Sequence, residues 1–275
     1  MSQVLYNDLT KQTSDFIKKD FPESFKLEST LRHKYGSIVA TTDIKEGGIV
    51  GTVQPKFDVS KFVNRNTNAN LTIDTNGVKK GEITIENLVP GLKTIINGDA
   101  KQNVSTEVQY KKDKVALTVF GKNDKSYTTS ISFAANNMFT FGIQADGNAK
   151  NTLKNVNATL LVKPRNDIIF TIVDRFMDKQ LLFSGLYFAT PKLTVGGDLT
   201  VDLKASDKSP SFNIGTAYKI DSVTFIKAKI NNNKKANIAF THTLNQNAKI
   251  GLGWNINAAN LKQGNTFGAI LNLTI

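Results

Sequence analysis

The side chains able to do chemistry in this 275-residue chain are overwhelmingly lysines. Lys and Arg number 35 against 23 Asp and Glu, a formal net charge of +12. Arginine is confined to Arg32, Arg65, Arg165 and Arg175. There is no cysteine, which removes disulfides, thiolate metal sites and thiol nucleophiles. The only histidines are His33 and His242. His242 follows Ile238 and Phe240 at alternate positions on one apolar strand face, so neither histidine is expected to catalyse or to bind metal. A loose Gly47-Gly48-x-x-Gly51 lacks the phosphate-loop spacing and reads as turn and strand glycine. No catalytic constellation, metal site or cofactor is expected. What remains is fixed positive charge, whose chemistry is the attraction of small anions, anionic lipid or nucleic acid. Nucleic-acid recognition would show clustered arginine among exposed aromatics, and the scarcity of arginine argues against it.

The elements that must position these lysines are strands. From Phe25 onward apolar and polar residues alternate in short segments. In Leu193–Leu203, Leu193, Val195, Leu199, Val201 and Leu203 share one face with Gly197, and Thr194, Gly196, Asp198, Thr200 and Asp202 share the other. Ala248–Ile256 repeats the pattern, with Ile250, Leu252, Trp254 and Ile256 against Lys249, Gly251, Gly253 and Asn255. Turn residues separate the segments, as in Asn76-Gly77, Asp146-Gly147-Asn148 and Asn231-Asn232-Asn233. The repeat of about 11 to 14 residues suits strands of ~9–11 residues joined by tight turns, and gives about 19 strands.

Alternation has two physical causes: a sheet between a protein core and water, or a barrel between lipid and a wet lumen. Nearly every segment alternates, which would demand one-sided cores for all of the strands of a soluble protein. The polar positions are mostly Gly, Thr, Asn and Lys, as in a water-lined wall. An all-β membrane barrel is therefore expected, with lipid as a partner. No apolar run is long enough for a spanning helix; Leu181–Ala189 is too short. The first residues show no secretory signal. If Leu92, Tyr110, Val162, Ile220 and Ile250 face lipid, then Lys93, Lys111, Lys163, Lys219 and Lys249 face the lumen. Lys192, Lys204, Lys227 and Lys229 follow by the same alternation. Fixed charge in a narrow pore raises the local concentration of anions.

The first residues differ. Leu5, Leu9 and Phe16 fall on one helical stripe, with Ile17 at its margin, and Asp8, Lys11, Asp15, Lys18 and Lys19 on the other side. This predicts an amphipathic helix over 4–20, stopped near Pro22. Residues 1–24 then form a helix and connector, and 25–275 the barrel.

Three stretches resemble a known family. Tyr218-Lys219-Ile220-Asp221-Ser222-Val223-Thr224, continuing through Ala228-Lys229-Ile230-Asn231-Asn232 to Asn237-Ile238-Ala239-Phe240, is similar to the signature of eukaryotic mitochondrial porins, the voltage-dependent anion channels. Leu88-Val89-Pro90-Gly91-Leu92-Lys93 is similar to the family's Gly-Leu-Lys segment. Tyr6-Asn7-Asp8-Leu9, with Lys11 and Lys19, looks like its N-terminal helix. The resemblance spans essentially the whole chain. It implies a 19-stranded barrel with one parallel closing pair, between a first strand near Phe25–Leu31 and a last over Phe267–Ile275. It implies a helix inside the pore, docked through Leu5, Leu9 and Phe16, and an apolar inner patch at Leu182, Leu186 and Phe188 would receive it.

The implied activity is passage of ATP, ADP, phosphate and other small anions across the mitochondrial outer membrane. Weak nucleotide contact is implied at Gly91, Leu92 and Lys93. Other outer-membrane or respiratory-complex proteins are the protein partners the resemblance allows. The related protein-import barrel and a weakly conducting paralogue serving assembly or docking are the competing readings; basic import cargo would favour an acidic lumen, against the charge of +12. The chain also departs from the family. Asp20-Phe21-Pro22-Glu23-Ser24 replaces a glycine-rich hinge, Ser14 stands where many members are basic, Lys18 is extra, and Asp74 alternates onto the lumen face of a stretch where some members place a lipid-facing glutamate.

Overall fold

The computed structural model describes residues 4–45, 48–60, 66–149, 152–205 and 210–275. It is a closed barrel of 19 strands. Each strand pairs antiparallel with its sequence neighbour, and β1 (Phe25–His33) pairs parallel with β19 (Thr266–Thr274), Phe25 opposite Ala269. Odd closure dictates that pair: strands joined by hairpins alternate in direction, so the first and the nineteenth run the same way. A nine-residue strand such as β1 is about 30 Å long at ~3.3 Å per residue, and a tilt near 40° leaves roughly 23 Å, close to an apolar band ~25 Å tall.

The alternation in the sequence becomes two faces. Phe25, Leu27 and Leu31 on β1, Ile131 and Phe133 on β9 (Ser126–Ala134), and Ile214 and Tyr218 on β15 (Ser211–Lys219) all lie uncovered on the outside. A soluble protein would not leave such a belt in water. Across β18 (Ala248–Asn257) and the closing strands, the rings of Trp254, Phe267 and Phe25 form a ladder, at 5.1 Å and 5.7 Å between centroids. These tilted pairs brace the parallel seam from its lipid side.

The N-terminal segment lies inside. It is not one helix over 4–20. A 3-10 turn covers Tyr6–Asp8, and α1 covers Lys11–Lys18. The helix ends before Pro22: Lys19 is extended and Asp20 takes a left-handed φ of 67°. The buried stripe also differs from the expected one. Leu9, Thr13 and Ile17, at spacing four, are the buried residues, while Leu5 and Phe16 are half-covered. A hydroxyl replaces an apolar group in the stripe because the wall it meets is itself partly hydroxyl-lined.

Candidate functional site

The inner face is identified by what touches the helix. The Ser132 hydroxyl on β9 donates to the Val4 carbonyl. The Thr159 hydroxyl donates to the Tyr6 hydroxyl at 3.0 Å. The Thr13 and Thr171 hydroxyls are 3.3 Å apart. Leu9 packs with Leu161, Ile169 and Leu186, and Val4, Tyr6 and Phe16 border that cluster. Leu186 belongs to β13 (Gln180–Phe188), where Leu182 and Phe188 share its side of the strand. Strand period then carries the assignment around the barrel, because an inner position pairs with an inner position on the next strand.

The floor beneath the segment is built of small residues. Gly142 on β10 (Phe139–Asn148) and Gly196 on β14 (Leu193–Asp202) admit the apolar side chains: a Cβ on Gly142 would come within 2.6 Å of Leu9 Cδ1, and one on Gly196 within 3.0 Å of Phe16 Cδ1. Ala116, Ser130, Ser132 and Ala134 are buried beside them on β8 (Val115–Lys122) and β9. The signal existed in the sequence as small residues recurring at lumen positions of neighbouring strands. Only the docked helix reveals their purpose.

The connector continues along the wall. Pro22 rests over Gly251, Gly253 and Gly268, where added Cβ atoms would meet it. The covered arc thus runs from β8 to β19. The arc from β1 to β7 (Val104–Lys112) lies away from the main contacts of α1 and the 3-10 turn, which fall on β8 to β10 and β12 to β15.

The lysines divide into four groups. Lys111 lies opposite Ala116, which lies opposite Ser132, so Lys111 is on the inner face. Lys93 follows, opposite Gln109 two residues from Lys111. Lys93 is not alone: its ammonium is 3.0 Å from Glu86. Lys219 pairs with Phe225, on the side of Lys227, and Lys249 is on the face of Gly251 and Gly253. Lys163 borders a recess shared with Gln12 of the helix. A second group lies at the rims rather than on the wall, a correction to the alternation argument. Lys192 and Lys204 sit in turns, their ammonium groups donating to the carbonyls of Ile220 at 3.4 Å and Met177 at 2.9 Å. A third group belongs to the inner segment: Lys11 and Lys19 are exposed but paired, with Asp8 at 3.6 Å and Asp15 at 2.8 Å, and Lys18 is exposed. The fourth group departs most from expectation. Lys227 is only 3% exposed, and Lys229 is half-buried; both lie under the helix and not in open water.

Gly91, Leu92 and Lys93 do not converge on one site. Gly91, at φ 84°, makes the turn, and a Cβ there would overlap the Lys111 carbonyl. Leu92 is opposite Tyr110 on the lipid face, and Lys93 alone faces the lumen. Asp74 is opposite Thr52 on the lumen side and accepts from the amides of Asn76 and Val78, so its carboxylate holds a turn. In the signature stretch Asp221 accepts from the amides of Val223 at 2.8 Å and Thr224 at 2.6 Å. Those bonds, the Val223 amide foremost, hold its carboxyl below the usual carboxylate range. Its task is the turn between two strands. No cluster of three or more metal-ligating residues occurs among the described residues.

Comparison with known proteins agrees with this geometry. A family model described as eukaryotic porin matches residues 3–268. The mitochondrial outer membrane protein porin of Dictyostelium discoideum is 62% identical over 275 residues, covering 100% of both chains. A porin of Candida albicans of the same description is 25% identical, covering 96% of this chain and 95% of its own. Among solved structures, a mutant of Rhodopseudomonas blastica porin superposes with a TM-score of 0.51 at 10% identity, covering 87% of this chain and 96% of that one. That likeness is one of fold.

Proposed function

The chain belongs to the eukaryotic porin family, and from that premise we propose that it is an anion-preferring pore passing small metabolites across the mitochondrial outer membrane. The permeants of this reading are ATP, ADP, phosphate and chloride-sized anions. The observation that carries it is the lumen face of the wall, where Lys219 and Lys249 are exposed to water and Lys111 lies half-buried on the same face.

The physical mechanism is concentration, not tight binding. Fixed ammonium groups near a low-dielectric wall lower the energy of an anion in the lumen and raise that of a cation. Conduction needs sites weak enough to release what they attract. Scattered single lysines meet that requirement better than a converged phosphate pocket would. The helix narrows the channel from one side and carries its own ion pairs, Lys11 with Asp8 and Lys19 with Asp15. It shapes the constriction more by volume than by net charge.

The test is a planar-bilayer recording under a potassium chloride gradient. The reversal potential should take the sign of chloride preference in the low-voltage state. A potential at zero or of potassium sign would reject the anion reading while leaving the porin family intact.

A further inference from the structure

We infer that Lys227 and Lys229 are positioning residues for the inner helix, acting together as its C-terminal cap, and are not contributors to the selectivity of the pore. The last carbonyls of a helix lack internal partners and sit at the negative end of its dipole. α1 ends at Lys18; the amide of its cap residue Lys19 closes onto the Asp15 carbonyl, and Asp20 follows in the left-handed conformation. The barrel wall supplies donors for the carbonyls beyond. On β16 (Thr224–Asn231), the Lys229 ammonium donates to the Ile17 carbonyl at 3.0 Å, and the Lys227 ammonium donates to the Lys19 carbonyl at 2.9 Å.

The surroundings of Lys227 explain why a charge is tolerated there. A buried ammonium is costly unless it is paired and hydrogen-bonded. Here the Asp20 carboxylate is 3.5 Å away, and the rings of Phe16 and Phe21 flank the ammonium at 5.2 Å and 5.0 Å from their centroids. Lys229 shares the Phe21 ring at 4.4 Å. Carbonyl, carboxylate and ring faces take the place of water. Every one of those groups belongs to the segment from Phe16 to Phe21, so both lysines grip a single stretch of chain where the helix passes into its connector. A lysine acting on permeant ions would point into open water. Lys227 points into the helix end.

The absence of cysteine makes a clean test. Ile17→Cys places a thiol at a buried helix position in the full-length reconstituted channel. Reaction with a membrane-impermeant thiol reagent should run at least about tenfold faster when Lys227→Met and Lys229→Met are added, because the helix end opens locally. Lys227→Arg, which keeps a donor and a charge, should stay within about threefold of the parent. A disulfide between Thr13→Cys and Thr171→Cys, whose hydroxyls are 3.3 Å apart in the parent, should then restore the parental conductance and reversal potential to the double methionine channel. Labelling no faster than in the parent overturns the inference. So does a change of reversal potential that persists with the tether closed, since the lost charges would then act on ions directly. Should the double variant not assemble, Asp20→Asn leaves the wall intact. Faster labelling at Ile17→Cys supports the clamp there, and unchanged labelling overturns it.

Discussion

Leu9 of the 3-10 segment's end and Gly142 of the wall are in contact so close that the glycine cannot be enlarged. A Cβ at Gly142 would fall 2.6 Å from Leu9 Cδ1 and 2.7 Å from Tyr6 Cδ2. The position is on the inner face of a strand whose outer face meets lipid, so a side chain there disturbs the helix before it disturbs the barrel. Gly142→Val should cost about 1–3 kcal/mol of helix docking through overpacking. The expected outcome is a channel of unchanged β content by circular dichroism but altered single-channel conductance. Unchanged conductance with a fully inserted barrel would mean the helix does not depend on this contact.

The Glu86–Lys93 pair makes a prediction of opposite signs. Both side chains are substantially exposed, so the pair itself contributes about 0–1 kcal/mol to stability. Its effect on ions is larger than its effect on folding. At distances beyond the 3.0 Å separation the two charges nearly cancel. Glu86→Gln should therefore strengthen anion preference, Lys93→Gln should weaken it, and the double variant should return close to the parent. The reversal potential measures this. The differences should shrink at 1 M salt, where the Debye length is about 3 Å, against ~8 Å at 0.15 M.

Strand facing is checked at β18. Lys249 is exposed toward the lumen, and Ile250 is opposite Leu271 on the lipid side. A cysteine at Lys249 should react with an impermeant reagent in vesicles, and one at Ile250 should not. Equal reaction at both would reject the assigned faces. Gly253 is a poor choice for the same experiment, since Pro22 covers it and a side chain there would push the connector away.

What the sequence revealed and what it hid follow one physical division. Period-2 alternation is local, and it assigned Leu193, Val195 and Trp254 to lipid and Lys249 and Asn255 to the lumen, which is the register found. The odd closure came with the family resemblance. The state of each lysine was not legible, because it depends on where a separate segment lies on the wall. Lys249 and Lys227 read alike by alternation, yet one meets water and the other is sealed under Phe16 and Phe21. The same holds for the helix. Its amphipathic stripe pointed to Leu5, Leu9 and Phe16, but the wall selected Leu9, Thr13 and Ile17, because Thr171 offers a hydroxyl where an apolar partner was expected. Pairings such as Glu86 with Lys93 join different strands and carry no local mark.

The charges on the inner helix set how strongly a voltage can act on it. Residues 4–20 carry Lys11, Lys18 and Lys19 against Asp8, Asp15 and Asp20, three of each sign, so the segment's side chains sum to zero. A charge crossing the whole membrane potential gains about 2.3 kcal/mol per 100 mV, and a neutral segment gains nothing by moving. Its movement is also opposed by a connector without a glycine hinge, since Pro22 has a fixed φ and lies over Gly251, Gly253 and Gly268. The helix should thus be a poor voltage sensor, and the channel's response to voltage shallow. Asp8→Asn with Asp15→Asn gives the segment a charge of about +2, and should steepen the conductance–voltage curve if the helix moves at all. Pro22→Gly in that background relaxes the connector and should steepen it further. Deletion through Asp20 should widen the pore, raise conductance and lower selectivity, because the volume that shapes the constriction is gone. A deletion channel with the parent's conductance and selectivity would place the helix outside the ion path and remove it from the gating mechanism.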